Sequence, residues 1–305
     1  MNPKFTKQAA LLLRIIPVIA GEKNFALQGG TAINLFLNEM PRISIDIDLT
    51  WIPYGNRTDD IEQIILTLSR LKERLLSTIP GITVSGPAET SAYMKLFFSI
   101  PGAIVKVEVN TINRGIIDDP IIKELCFRSQ YTFNCFCEMQ IVPVGQLYGG
   151  KIIAALDRQH PRDLFDVKKL FESVGFTKEI YKGFIFCLLS SNRPIHEILN
   201  PARIDQQSAL KNQMNGMTDE LFTYEIYESV RDKLKNTVMN SLTNEDKSFL
   251  ISFTKGIPDW NTWDYSRFPG VQWKLMNINK LREMNLRKYN EQINRLEYLF
   301  SCKQP

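Results

Sequence analysis

QGGTAINLFLNEMPRISIDIDLT, residues 28–50, has three parts. Gly29, Gly30 and Thr31 open what reads as a short helix, a proline-containing loop follows, and a strictly alternating strand begins at residue 43. Ile43, Ile45, Ile47, Leu49 and Trp51 fall on one face of that strand. Ser44, Asp46, Asp48 and Thr50 fall on the other, because successive strand side chains point to opposite sides. Two carboxylates are thus neighbours on one face, about 7 Å apart at their Cα atoms. Aspartate is a poor strand former, so two on one short strand need a reason. One reason is a solvent-facing polar side. The other is a seat for hard cations such as Mg²⁺, which take oxygen ligands and, as a pair about 3.5–4 Å apart, activate a hydroxyl and stabilise a leaving pyrophosphate.

The glycine turn has two readings as well. Glycines let a backbone approach a phosphate closely, with the Thr31 hydroxyl as a further donor; equally, a Gly-Gly-Thr turn is an ordinary strand-to-helix connection. It is not a P-loop, since GxxxxGK[ST] is missing.

Outward from this stretch, residues 4–20 read as an amphipathic helix and 24–28 as a short strand. Residues 58–78 read as a long helix, with Thr58 as its cap, acidic residues in its first turn and Pro80-Gly81 as its stop. Strands are expected at 93–100 and 103–110, joined by a Pro101-Gly102 turn, and again at 131–142. If strand 103–110 lies beside the acidic strand, Glu108 joins Asp46 and Asp48 as a third carboxylate. After Pro143, helical periodicity dominates, at 144–157, 162–173, 177–190, 219–240, 244–254 and 279–300. An α/β part, residues 1–143, followed by an α-helical part, residues 144–305, is the expected division.

The helical part carries KIIAALDRQHPRDLFDVKKL, residues 151–170. Lys151 and Arg158, seven apart, share a helix face, and Pro161 suits the first position of the next helix, with Asp163 and Asp166 in its opening turns. These cations can neutralise a triphosphate while an aspartate orients them or moves a proton. They can also be a structural ion network at a helix start. Trp260, Trp263, Tyr265, Phe268 and Trp273 can stack on bases or pack the helical part.

Composition bounds the rest. The chain has 305 residues, 44% hydrophobic and 23% charged, with a net charge of +4. That surplus sits wholly in residues 274–305, with seven basic and three acidic side chains, so the tail is either a nucleic-acid contact or a solvated helix face. Five cysteines without CxxC and two histidines build no zinc site and read as reduced thiols of a cytoplasmic protein. No apolar run approaches the roughly 18 residues of a membrane span.

Taken in order, QGGTAINLFL, RISIDIDLT, VKVEVN and KIIAALDRQHPRDLFDVKKL resemble the AbiEii-like nucleotidyltransferase toxin family over about residues 24–170. The resemblance implies a polymerase-beta-like nucleotidyltransferase fold of α/β class, a mixed sheet with flanking helices, followed by an α-helical domain that completes the nucleotide site and binds RNA. It implies the toxin of a bacterial toxin–antitoxin or abortive-infection pair, with a cognate antitoxin as partner. Mg²⁺ (or Mn²⁺) and an NTP are the implied cofactor and co-substrate, and tRNA or another RNA the implied acceptor. Gly30 and Thr31 correspond to the nucleotide-binding turn, Asp46 and Asp48 to the metal-binding pair, and Lys151 to the basic motif at the phosphates; the residues themselves add Gly29, which opens the turn, and Arg158, the second cation on the Lys151 face. Asp163 and Asp166 correspond to the later acidic motif, and Glu108 to a third carboxylate. An acceptor that is a protein or small molecule, or a non-catalytic NTP-binding module, are the alternatives. The mechanism expects Asp46 and Asp48 to face Lys151 and Asp163 across one cleft.

Overall fold

The computed structural model describes residues 2–89 and 93–301. Two compact units are formed: Met1–Leu147 with Leu210–Leu221, and Tyr148–Ala209 with Phe222–Pro305. Leu210–Leu221, which the sequence reading gave to the helical part, therefore clusters with the first unit.

The first unit contains α1 (Pro3–Ile19), β1 (Phe25–Gln28), α2 (Gly29–Ala32) with a π-helical turn at Ile33–Leu37, β2 (Asp46–Trp51) and α3 (Arg57–Thr78). It continues with β3 (Thr83–Glu89), β4 (Tyr93–Ile100), β5 (Ala103–Asn110), β6 (Ile121–Glu124), α4 (Phe127–Phe133), β7 (Glu138–Ile141) and the start of α5 (Val144–Arg158). The strands form one mixed sheet in the order β3-β4-β5-β2-β1-β7-β6. β2 is central, antiparallel to β1 and parallel to β5. Ile47, Leu49, Val105, Val107 and Val109 are all 1% exposed or less, so the aliphatic side of β2 and β5 belongs to the core. Burying such side chains stabilises by about 1.5–3 kcal/mol each, which fixes the register and leaves the aspartates on the opposite face.

Several elements depart from the sequence expectation. β2 begins at Asp46 rather than Ile43, since Ile43 donates its N–H to the Met217 carbonyl at 2.8 Å instead of to a neighbouring strand. α3 is capped by Asn56, whose side chain accepts from the Thr58 N–H at 2.8 Å, not by Thr58. Asp60 in its first turn is buried and takes the Arg114 Nε at 2.9 Å. The strand expected at 131–142 is mostly not strand: α4 occupies Phe127–Phe133 and so takes its first three residues, ends on Asn134 in the left-handed region, and only Glu138–Ile141 is strand.

The second unit holds the rest of α5, then α6 (Pro161–Glu172), α7 (Lys178–Ser190), α8 (Ile195–Leu199), α9 (Gln207–Ala209), α10 (Tyr224–Ser241), α11 (Asn244–Thr254), α12 (Pro269–Met284) and α13 (Leu286–Ser301). Residues 279–300, read as one helix, are split because the Asn285 side chain accepts from the Lys288 N–H at 2.9 Å and so starts α13. α5 and α7 approach with no room for a side chain between them: a Cβ added to Gly149 would lie 2.3 Å from the Gly183 carbonyl carbon. Four of the five aromatics, Trp260, Trp263, Tyr265 and Phe268, pack inside this unit, while Trp273 is exposed. Trp263 donates its indole N–H to Asp246 at 2.7 Å, Tyr265 and Phe268 meet Phe186 edge-on, and Trp260 meets Phe249 and Phe253. Lys274, counted in the basic tail, is buried. Its ammonium donates to the carbonyls of Leu188 and Arg193 and to the Ser191 hydroxyl, all within 2.9 Å, at the end of α7.

Cys126, Cys135, Cys137 and Cys187 are free thiols, and Cys302 lies outside the described residues. Burial pushes the Cys137 and Cys187 thiols up to about 12, which keeps them protonated and unreactive at neutral pH. Among the described residues, no helix is long and apolar enough to cross a membrane.

Candidate active site

The site in the first unit is built by strand register. Gln28 of β1 pairs with Asp48 of β2, Asp48 with Glu108 of β5, and Glu108 with Lys95 of β4, which makes one polar row across four strands. The row beside it places Asp46 next to Lys106 and Lys106 next to Phe97. Paired residues in a sheet share a face, so Asp46, Asp48, Lys106, Glu108 and Lys95 form one patch of mixed charge. Asp46 and Asp48 are half-exposed, unlike the buried aliphatics between them.

Glu108 does not stand free beside the aspartates. Its carboxylate takes Lys106 Nζ at 2.9 Å and Lys95 Nζ at 3.4 Å. Burial works against the Lys106 charge, but the Glu108 hydrogen bond and the negative charges of Asp48 and Asp46 outweigh it and raise the Lys106 pKa. Among the described residues, no group of three His, Cys, Asp or Glu side chains is arranged to hold a metal ion.

The glycine turn closes on this patch. Gly29 adopts φ +73°, and a Cβ there would lie 2.5 Å from Asp48 Oδ2. Glycine is therefore needed twice, for its backbone conformation and for the approach of the carboxylate. A Cβ on Gly30 would meet the Arg42 guanidinium at 2.6 Å and Ser44 Oγ at 3.2 Å. Thr31 is 1% exposed, donates to the Asp46 carbonyl and shares a 2.9 Å hydrogen bond with Ser44 Oγ. In this structure its hydroxyl fixes the start of β2 against the turn rather than facing outward to a phosphate. Gly29→Ala is expected to cost about 1–2 kcal/mol for the left-handed residue and to displace the Asp48 carboxylate. Urea unfolding and a nucleotide-transfer assay check it, and a variant as active as the native protein would show that Asp48 tolerates the shift.

The second unit holds the other predicted residues. Lys151, 6% exposed at its side chain, reaches Asp163 at 2.7 Å and Asp166 at 3.0 Å, with those carboxylates 2% and 0% exposed. Arg158 grips Asp163 through Nε at 2.5 Å and Nη2 at 3.0 Å, yet its side chain is 62% exposed. Burial by itself would raise the Asp163 pKa. The Lys151 charge, with the Arg158 hydrogen bond and charge, overrides burial and holds the carboxyl well below the usual carboxylate range. Pro161 and the His160 side chain, which accepts from the Arg162 N–H, set the start of α6 and thereby place Asp163 in its first turn. Thus Lys151 locks two aspartates, while Arg158 is the cation held by Asp163 with its side chain reaching solvent.

Lys95, Arg42 and Gln28 escaped the sequence reading. Gln28 adjoins the glycine turn in sequence, but Lys95 and Arg42 reach the site through pairing and packing that no local pattern announces. Lys106 was legible only as the neighbour of Glu108 on one strand face.

The family model described as "Nucleotidyl transferase AbiEii toxin, Type IV TA system" matches residues 10–277. No curated protein matches. Among solved structures, MenT4, a nucleotidyltransferase toxin from Mycobacterium tuberculosis H37Rv, is similar with a TM-score of 0.62. The likeness covers 90% of this chain and 93% of that one at 12% identity, which is a likeness of fold.

Proposed function

Because this chain belongs to the AbiEii nucleotidyltransferase toxin family, we propose that it transfers an NMP group from an NTP to an RNA hydroxyl, with the tRNA 3′ end as the leading acceptor. The observation that carries the reading is Asp46 and Asp48 side by side on one strand face, with Gly29 abutting Asp48. In the reaction the acceptor oxygen bonds to the α-phosphorus, the bond from that phosphorus to the β-phosphate's bridging oxygen breaks, and pyrophosphate leaves.

The residues fit Mg²⁺, which keeps several waters and takes one or two carboxylates together with substrate phosphates. Asp46 and Asp48 would hold it. Glu108, already bridging two lysines, suits charge balance better than a third ligand position. When bound, the ion offsets negative charge on the phosphates and on the attacking and leaving oxygens. The Gly29–Gly30 backbone lies against Asp48, Arg42 and Ser44, so a phosphate would approach the turn past these side chains. Arg158 offsets triphosphate charge, with Asp163 orienting its guanidinium and Lys151 fixing Asp163. Asp163 is already the acceptor for two cations and is held ionised, and Glu108 is likewise bridged by two lysines, so the acceptor proton falls to water. The exposed cations Lys280, Arg282, Arg287 and Lys288 on α12 and α13 support an RNA acceptor, whose binding would be salt-sensitive. A cognate antitoxin, a role in abortive infection and action in the cytoplasm accompany this reading.

The test is incubation with total RNA, Mg²⁺ and each α-labelled NTP in turn. Label in tRNA, with release of pyrophosphate, is expected. Label in protein instead would move the acceptor to a polypeptide, and no label with any NTP would refute RNA transfer.

A further inference from the structure

Among the described residues, Lys106 is the one cation that strand register places directly beside the acidic pair. It pairs with Asp46 across β2 and β5, and its ammonium is bound at 2.9 Å by Glu108, the residue paired with Asp48. The Lys106 side chain is 28% exposed and that of Glu108 15%, so water screens their charges only in part. Two carboxylates on adjacent positions of one face repel each other when no cation is near. We propose that Lys106 is the resident counter-ion of the Asp46–Asp48 pair, tethered by Glu108, and that it sets how strongly the pair takes up a divalent cation.

This inference rests on Asp46 and Asp48 being the metal-binding pair. On that footing, Lys106 has two opposite effects. It relieves carboxylate repulsion in the metal-free protein, and it repels the incoming divalent ion. Metal uptake is held down until the phosphates of an NTP bring enough negative charge to offset the lysine. Glu108 then acts through Lys106, as a positioning residue. The charges of Asp48 and Asp46 acting on Lys106, noted above, are the same coupling seen from the lysine.

The experiment measures Mn²⁺ binding without NTP, by the electron paramagnetic resonance signal of the free ion. Lys106→Met and Lys106→Gln should each bind Mn²⁺ at least roughly fivefold more tightly than the native protein, the size one charge about 4 Å away has even when screened as in bulk water. The gain should shrink as salt is raised. Lys106→Arg, which keeps the charge, should bind as the native protein does. Metal-free Lys106→Met should melt lower than the native protein and recover more on adding Mn²⁺. Unchanged or weaker Mn²⁺ binding in both uncharged variants, folded by circular dichroism, overturns the proposal. So does weaker NTP binding with unchanged Mn²⁺ binding, which would make Lys106 a phosphate ligand. Asp48→Asn is the separate control. If it binds Mn²⁺ like the native protein, the metal-binding assignment itself fails and takes this inference with it; if it loses Mn²⁺ while the lysine variants are unchanged, only the counter-ion role fails.

Discussion

Asp48→Asn is expected to leave the protein folded and to lower nucleotide transfer at least about a hundredfold. Residues that merely support metal ligands cost about 10–100-fold when replaced, so a direct ligand should reach or exceed the top of that range. A hundredfold loss corresponds to about 2.7 kcal/mol of transition-state stabilisation. The fold should tolerate the change. Asparagine has the same shape, the Asp48 side chain is half-exposed, and the core side of β2 is carried by Ile47 and Leu49. Removing one of two adjacent carboxylates also relieves repulsion, which offsets the lost attraction to Lys106. The measurement is transfer rate beside thermal unfolding. Near-native activity in a folded variant would remove the acidic pair from the chemistry.

Lys151→Met is expected to destabilise the helical unit by about 3–5 kcal/mol, the usual cost of removing one partner from a buried ion network. The replacement keeps the length of the side chain and deletes the charge. Asp163 would retain Arg158, but Asp166, fully buried, would lose the ammonium 3.0 Å away. The effect should depend on pH in a defined direction. The folded-state pKa of Asp163 is depressed, so its contribution is fully present above the unfolded value of about 3.9 and is lost as pH falls through the folded one. Without Lys151 the buried carboxylates protonate more readily, and the penalty of the variant shrinks toward acid. Urea unfolding at pH 7 and pH 4 should therefore show a wider gap between native and variant at pH 7. Equal gaps would mean that Lys151 matters for packing alone.

What could be read from sequence followed the range of the forces involved. The hairpin of β4 and β5 was legible to its ends, because alternating valines and a Pro101-Gly102 turn are local signals. β3 was not, since Gly86 and Pro87 interrupt its alternation where its pairing with β4 shifts register between Ser85 and Ala88. Residues 127–133, FRSQYTF, have the aromatic and threonine content of a strand, yet they fold as a helix closed by Asn134 at φ +44°. Among the candidate residues of the two units, the types and spacings of Asp46 and Asp48, and of Lys151 and Asp163, were visible. Their partners were not. That Glu108 bridges Lys95 and Lys106, or that the Thr31 hydroxyl is turned to the Asp46 carbonyl, depends on which strands pair and which groups are buried.

The return of Leu210–Leu221 to the first unit has a consequence for biosynthesis. Gly216 accepts from the Asn2 N–H, Met217 from the Ile43 N–H, and the Thr218 hydroxyl donates to the Pro41 carbonyl, so the lead-in to the acidic strand is held by residues made much later. At about 5–20 residues per second, the ribosome needs roughly 4–15 s to travel from residue 147 to residue 221. During that interval the sheet can form while the approach to Asp46 still lacks its backing. A nascent chain stalled before residue 210 should therefore carry every residue of the acidic pair and the glycine turn, yet not hold them in their finished places.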